Sequence, residues 1–178
     1  MDKQQQSSIC REIGARTGGD IYIGVVGPVR SGKSTFIKRF MEQLVLPVMD
    51  AADARVRARD ELPQSAAGRT IMTTEPKFIP EKAVPLQLEG GGECRVRLID
   101  CVGYMVEGAM GHEEDEKPRM VKSPWFEEEV PFDLAAETGT RKVIREHSTI
   151  GIVITTDGSI SDIPREDYLE PEERVIRE

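Results

Sequence analysis

The segment Gly27-Pro28-Val29-Arg30-Ser31-Gly32-Lys33-Ser34 constrains this chain more than any other feature. It has the form GxxxxGK[ST], and its neighbours are the ones that form requires. Before it runs Ile21-Tyr22-Ile23-Gly24-Val25-Val26, a continuous apolar stretch bounded by glycine. Such a stretch reads as a strand buried on both faces of a parallel sheet. After it, Phe36, Ile37, Phe40, Met41 and Leu44 recur at helical spacing, and Pro47 marks the exit, so a helix is expected over 33–45. Strand, glycine-rich loop and helix in that order make a phosphate-binding unit. Several backbone N–H groups must converge on one anion, which bulky side chains would obstruct. Lys33 can reach β- and γ-phosphate oxygens, Ser34 can ligand Mg²⁺, and the helix directs its positive end at the phosphates. Gly27, Pro28, Val29, Arg30, Ser31, Gly32, Lys33, Ser34 and Thr35 are therefore the candidate nucleotide-binding residues.

A second motif complements the first. Arg95-Val96-Arg97-Leu98-Ile99-Asp100 alternates, turns apolar and ends on a carboxylate, and Asp100-Cys101-Val102-Gly103 has the form DxxG. It follows the loop by about 70 residues, at a strand end. Asp100 can hold Mg²⁺ through water, and the Gly103 amide can meet the γ-phosphate and sense its loss. Between the motifs lies Thr70-Ile71-Met72-Thr73-Thr74. A threonine that closes on Mg²⁺ and the γ-phosphate belongs there. Thr73 and Thr74, just before an expected strand, are the candidates, with Thr70 as an alternative. The candidate metal ligands are thus Ser34, Thr73, Thr74 and Asp100. Tyr104 stands where many switch GTPases carry a water-orienting glutamine, so another group must position the water or hydrolysis is slow. Arg30 is either a surface arginine or a stabiliser of transition-state charge, in cis or toward a neighbouring subunit. His112 and His147 have no evident chemical partner and read as structural or surface residues.

Elsewhere, residues 3–16 are expected to form a short helix closed by Gly18-Gly19, and residues 50–61 a charged one. Lys77-Phe78-Ile79 and Val84-Pro85-Leu86-Gln87-Leu88 read as strand pieces, and Glu89-Gly90-Gly91-Gly92-Glu93 as a hairpin turn. Residues 104–131 read as an irregular insertion whose acidic run, Glu113-Glu114-Asp115-Glu116, is a solvated loop. A helix over 132–146, a buried strand over 149–155 and a charged helix from Pro164 or Pro171 complete the chain.

Composition excludes several classes. A net charge of −8 speaks against nucleic-acid binding as the main task. No apolar run approaches the roughly 20 residues of a transmembrane helix, and residues 1–8 lack the apolar stretch of a signal peptide. The three cysteines, Cys10, Cys94 and Cys101, have no CxxC spacing. They fit buried thiols in a reducing cytosol, not disulfides or a zinc site.

Further segments carry a resemblance. Gly18-Gly19-Asp20-Ile21-Tyr22, Ser31-Gly32-Lys33-Ser34-Thr35-Phe36, Asp60 to Gly68, Thr73-Thr74-Glu75-Pro76-Lys77-Phe78 and Asp100-Cys101-Val102-Gly103-Tyr104 are among them. With Glu146-His147-Ser148-Thr149 and Thr155-Thr156-Asp157-Gly158, they resemble the stage IV sporulation protein A family of spore-coat morphogenetic ATPases. The resemblance implies an α/β P-loop NTPase: a mostly parallel sheet flanked by helices, with a translation-factor-type GTPase-like topology. It implies ATP and Mg²⁺ as cofactors, with Lys33 as the Walker A lysine, Asp100 as the Walker B aspartate, and Thr73 and Thr74 as sensor threonines needed for hydrolysis. It further implies self-assembly into a polymer on the mother-cell side of the forespore surface, in the cytoplasm. The implied partners are other copies of the chain, a small amphipathic membrane-anchoring peptide and coat morphogenetic proteins. Family proteins are much longer, so residues 1–178 are expected to be the N-terminal nucleotide-binding part, truncated before the strand that carries NKxD in guanine-specific relatives. Base selectivity is not written in these residues. A GTP-type switch, or a scaffold that nucleotide merely stabilises, is the alternative function.

Overall fold

Every main-chain polar group in a buried run needs a partner, and the apolar run before the loop finds its partners in a sheet. The structure is a computed structural model describing residues 15, 17–49, 52–63, 74–87, 93–109, 111–114, 117–159 and 163–178. In chain order its principal elements are β1 (Asp20–Val26), α1 (Lys33–Phe40), α2 (Ala52–Asp60), β2 (Lys77–Gln87), β3 (Glu93–Asp100), α3 (Phe132–Lys142), β4 (Ile150–Val153) and α4 (Leu169–Arg177). The four strands lie in the order β2-β3-β1-β4. β1 pairs in parallel with both neighbours, and β2 runs antiparallel to β3. The register sets Val25 opposite Asp100, which brings the aspartate beside the end of β1, where the loop begins.

Alternation along the strands builds a core on each face of the sheet. On one face Ile21, Val25, Val96 and Leu98 pack with Ile37, Met41 and Val45 of α1 and its π-helical extension, and with Ala58 of α2. On the other, Val26, Ile99, Cys101 and Tyr104 pack with Val143, which extends α3, and Val175 of α4. A third cluster, Val29, Val106, Ala109, Ile163 and Tyr168, ties the middle of the glycine-rich loop to the chain on either side of α3 and β4. Helices thus flank both faces of a parallel-containing sheet.

The structure departs from expectation in several places. Lys77–Gln87 is one strand, with its register broken between Ile79 and Val84, where two pieces were expected. The hairpin pairing itself is present, Gln87 opposite Glu93, while most of its turn lies outside the described residues. The strand over 149–155 shortens to Ile150–Val153, and it is not buried: Ile150 is 37% and Val153 42% exposed. The reason is position, because β4 ends the sheet and pairs only with β1 among the described residues. The stretch 104–131 contains two short ribbons, Glu113–Glu114 with Lys117–Pro118 and Met120–Val121 with Val130–Pro131. Glu113 and Glu114 are exposed, as a solvated acidic run should be. The helix expected over 3–16 lies outside the described residues, apart from its end. Cys94 and Cys101 are buried and form no disulfide among the described residues, and no described helix is long and apolar enough to cross a membrane.

Candidate nucleotide site

Backbone geometry shapes the loop first. Gly27 adopts φ 150°, and a Cβ there would lie 2.2 Å from the Ile154 carbonyl oxygen. Its lack of a side chain is therefore required by the strand leaving the sheet next door, not only by converging amides. Gly32 adopts φ 98° as the residue before α1, a conformation glycine enters without steric cost. No side chain caps that helix start, so the first-turn N–H groups keep their capacity for an anion. Arg30 at φ 61° is the one non-glycine in the left-handed region among the described residues. It is half-buried.

Lys33 is buried, and its Nζ donates to the Pro28 carbonyl at 2.5 Å. Burial holds its pKa below the usual lysine value, against the opposing pull of Cys101 and Asp100. Ser34 Oγ donates to Asp100 Oδ2 at 3.0 Å. The other carboxylate oxygen, Oδ1, is buried and without a hydrogen-bond partner among the described residues. Burial pushes the Asp100 pKa upward, while Lys33 and the Ser34 hydrogen bond draw it down. An orphaned carboxylate oxygen beside a serine hydroxyl is a hard-oxygen donor set that suits Mg²⁺. No cluster of three or more His, Cys, Asp or Glu that could hold a metal occurs among the described residues. Ser34 Oγ and the free Asp100 oxygen offer two ligands, which fits a cation whose shell is completed by phosphate and water oxygens. Ser31 Oγ is a second buried group without a partner in the loop. The Cys101 thiol, pushed up to about 11 by burial, is not a nucleophile at neutral pH.

The DxxG segment lies directly on the loop. A Cβ on Gly103 (φ 98°) would lie 2.1 Å from the Gly27 carbonyl oxygen and 2.8 Å from Lys33 Nζ. Val29 N–H donates to the Tyr104 carbonyl at 2.8 Å. The Gly103 amide, expected to face a γ-phosphate, instead donates to Thr140 Oγ1 at 3.1 Å. Tyr104 is buried with the Arg174 guanidinium 4.6 Å from its ring centroid, and its hydroxyl has no hydrogen-bond partner among the described residues. The charges that act on that hydroxyl are those of Glu178, Arg141, Glu137 and Arg174, on or beside α3 and α4.

Of the threonine candidates, Thr70 and Thr73 lie outside the described residues. Thr74 is buried, and its carbonyl packs on Gly139 of α3. The structure thus brings Gly27 to Ser34, Asp100 and Gly103 together; Thr35 is exposed on the first turn of α1. His112 sits 3.9 Å from Glu113, and the His147 ring meets Phe78 edge-on, neither at the loop. Glu146, His147, Ser148 and Thr149 line a cleft of about 570 Å³ with Tyr22, Phe78 and Arg97. That cleft adjoins the start of β1, whereas the loop follows its end. Gly139 and Thr140 were missed from sequence, although a glycine inside an otherwise helical segment is itself a signal of close packing.

The family described as "Stage IV sporulation protein A, ATPase domain" matches residues 4–178. Stage IV sporulation protein A of Bacillus anthracis is 62% identical over 174 residues, covering 98% of this chain and 35% of its own length. The protein of that name from Bacillus subtilis (strain 168) gives the same identity and coverage. That from Clostridioides difficile (strain 630) is 58% identical over 172 residues, 97% of this chain and 35% of its own. The chain therefore spans about a third of the length of these relatives. No solved structure matches it.

Proposed function

The chain belongs to the stage IV sporulation protein A ATPase-domain family, and from that premise we propose that it binds ATP with Mg²⁺ in the Gly27–Thr35 loop and hydrolyses it. The observation that carries this reading is the Ser34 Oγ–Asp100 hydrogen bond, with its orphaned carboxylate oxygen, one residue along from the buried Lys33. Phosphoryl transfer asks little covalent chemistry of a protein. It asks for positioning and for charge where charge develops. Lys33 would move from the Pro28 carbonyl to the β- and γ-phosphates, a stronger, charged acceptor. Ser34 and Asp100 would hold Mg²⁺, which would supply neutralisation of the phosphate charge. Thr73 and Thr74 would act as the sensor threonines. The loop amides and the uncapped start of α1 would orient the phosphates.

The strand order, with one antiparallel edge next to a parallel core, supports a translation-factor-type GTPase-like topology. In the whole protein, hydrolysis would drive self-assembly of the spore-coat basement layer on the mother-cell side of the forespore. A small amphipathic membrane-anchoring peptide and coat proteins would be its partners. The energetic logic is that γ-phosphate contacts order the threonine and DxxG segments, so their loss shifts a two-state population. The test is ATP turnover by the full-length protein carrying Lys33→Ala. Loss of turnover is expected, and unchanged turnover would sink the proposal. A GTP-type switch is the second reading, which the packing of Gly103 on Gly27 and Lys33 allows equally. Competition between ATP and GTP for the wild-type site decides it.

A further inference from the structure

We propose that Thr140 is a positioning residue: it holds the Gly103 amide until a γ-phosphate takes that amide over, and so tunes the site's preference for triphosphate over diphosphate. The inference rests on the reading of the loop as a nucleotide site. Gly103 N–H donates to Thr140 Oγ1 at 3.1 Å in a buried setting. The Thr140 hydroxyl proton is committed elsewhere, to the Ala136 carbonyl one helical turn back at 2.8 Å. That bond fixes the rotamer and leaves an oxygen lone pair as the acceptor for Gly103. Thr140 itself is fully buried, so water cannot readily replace it.

Gly103 abuts the loop as well as α3, because its missing side chain lets it approach Gly27 and Lys33. The following residue is pinned to the loop through the Val29–Tyr104 hydrogen bond. The amide therefore sits between one acceptor on α3 and the position phosphates would take. A buried N–H does not give up its acceptor unless another arrives. A phosphate oxygen is charged and is the stronger acceptor. A diphosphate lacks the γ-oxygens, so in that state, as without nucleotide, the amide stays on Thr140. Thr140 thus stabilises the forms without a γ-phosphate and contributes nothing to the triphosphate form.

The test measures Kd for ADP and for a non-hydrolysable ATP analogue, both with Mg²⁺, on the full-length protein. Wild type is compared with Thr140→Val and Thr140→Ser. Valine keeps the shape and removes the oxygen acceptor, which leaves the amide only the weaker Cys101 sulfur in every form except the triphosphate one. The ratio of the ADP Kd to the analogue Kd should rise about tenfold in Thr140→Val and stay within about twofold in Thr140→Ser. Equal weakening of both nucleotides, or a serine variant that behaves like valine, would overturn the proposal. If Thr140→Val does not fold, Thr140→Ala removes the same acceptor and is held to the same ratio. Failure of the wild type to bind either nucleotide would overturn the nucleotide reading itself.

Discussion

A Cβ on Gly139 would lie 2.9 Å from the carbonyl oxygen of Thr74. The neighbouring residue, Thr140, accepts the Gly103 amide. One turn of α3 therefore touches both segments expected to respond to a γ-phosphate, the threonine segment and the DxxG segment. The middle of a helix is an expensive place for glycine, which costs about 1 kcal/mol there relative to alanine. Gly139→Ala tests whether the contact with Thr74 explains its presence. Without the contact, alanine would stabilise the protein. With it, backbone must move, and a net loss of about 1 kcal/mol is expected with at least a halving of ATP turnover. Thermal unfolding beside a turnover assay checks both, and a more stable variant with full activity would remove the contact from the account.

Asp100 carries a pH signature. Burial, the largest influence on it, raises its folded-state pKa above the unfolded value. A carboxyl so raised favours the native state fully below its unfolded pKa, and that advantage is lost as pH rises through the folded pKa. Asp100→Asn removes this titration. Without nucleotide or Mg²⁺, the variant should gain stability relative to wild type as pH climbs from the ordinary carboxylate range upward. The two should converge in acid. Urea unfolding at a series of pH values measures the difference. The same variant should lose Mg²⁺-dependent hydrolysis on the order of a hundredfold, more than it loses nucleotide affinity.

Tyr104 separates backbone from side chain. Its carbonyl anchors Val29, while its hydroxyl is buried without a hydrogen-bond partner among the described residues. Tyr104→Phe keeps the carbonyl and deletes an unsatisfied group, so stability should rise by about 1 kcal/mol. Turnover should stay within about twofold. A collapse of turnover would make the hydroxyl the missing water-orienting group, and chemical denaturation would supply the stability half of the comparison.

Arg30 occupies a backbone conformation that costs an L-residue about 1–2 kcal/mol. Glycine relieves that cost and alanine does not. Arg30→Gly should therefore be more stable than Arg30→Ala by about 1 kcal/mol, whatever the side chain does. If the guanidinium stabilises transition-state charge, both variants lose kcat by similar factors with KM little changed. Steady-state kinetics on the pair, with unfolding midpoints, distinguishes that role from a surface arginine.

Much of this was legible along the chain because the relevant periodicities are local. The apolar run of β1, the glycine spacing of the loop and the helical spacing of Phe36, Ile37, Phe40 and Met41 each lie within a few residues. The β3 alternation ending on Asp100 is equally local. Burial of β4 was misjudged because an apolar run records what a strand can tolerate, not how many neighbours it has. The partner of Gly103 was invisible because Thr140 is 37 residues away in sequence. A threonine in a helix has no signature that separates an acceptor of tertiary hydrogen bonds from a bystander.

The sequence by itself determined the glycine-rich loop, the carboxylate at a strand end and the order of elements around them, since those depend on residue type and short spacing. It also carried the family, through motifs spread across nearly its whole length. Only the tertiary structure decided that Asp100 comes within hydrogen-bonding distance of Ser34 and that Gly27 must yield to the Ile154 carbonyl. It also decided that the Gly103 amide rests on Thr140. Those relations join residues distant in sequence, and they exist because parallel pairing of β1 with β3 and β4 brings three chain segments to one edge of the sheet.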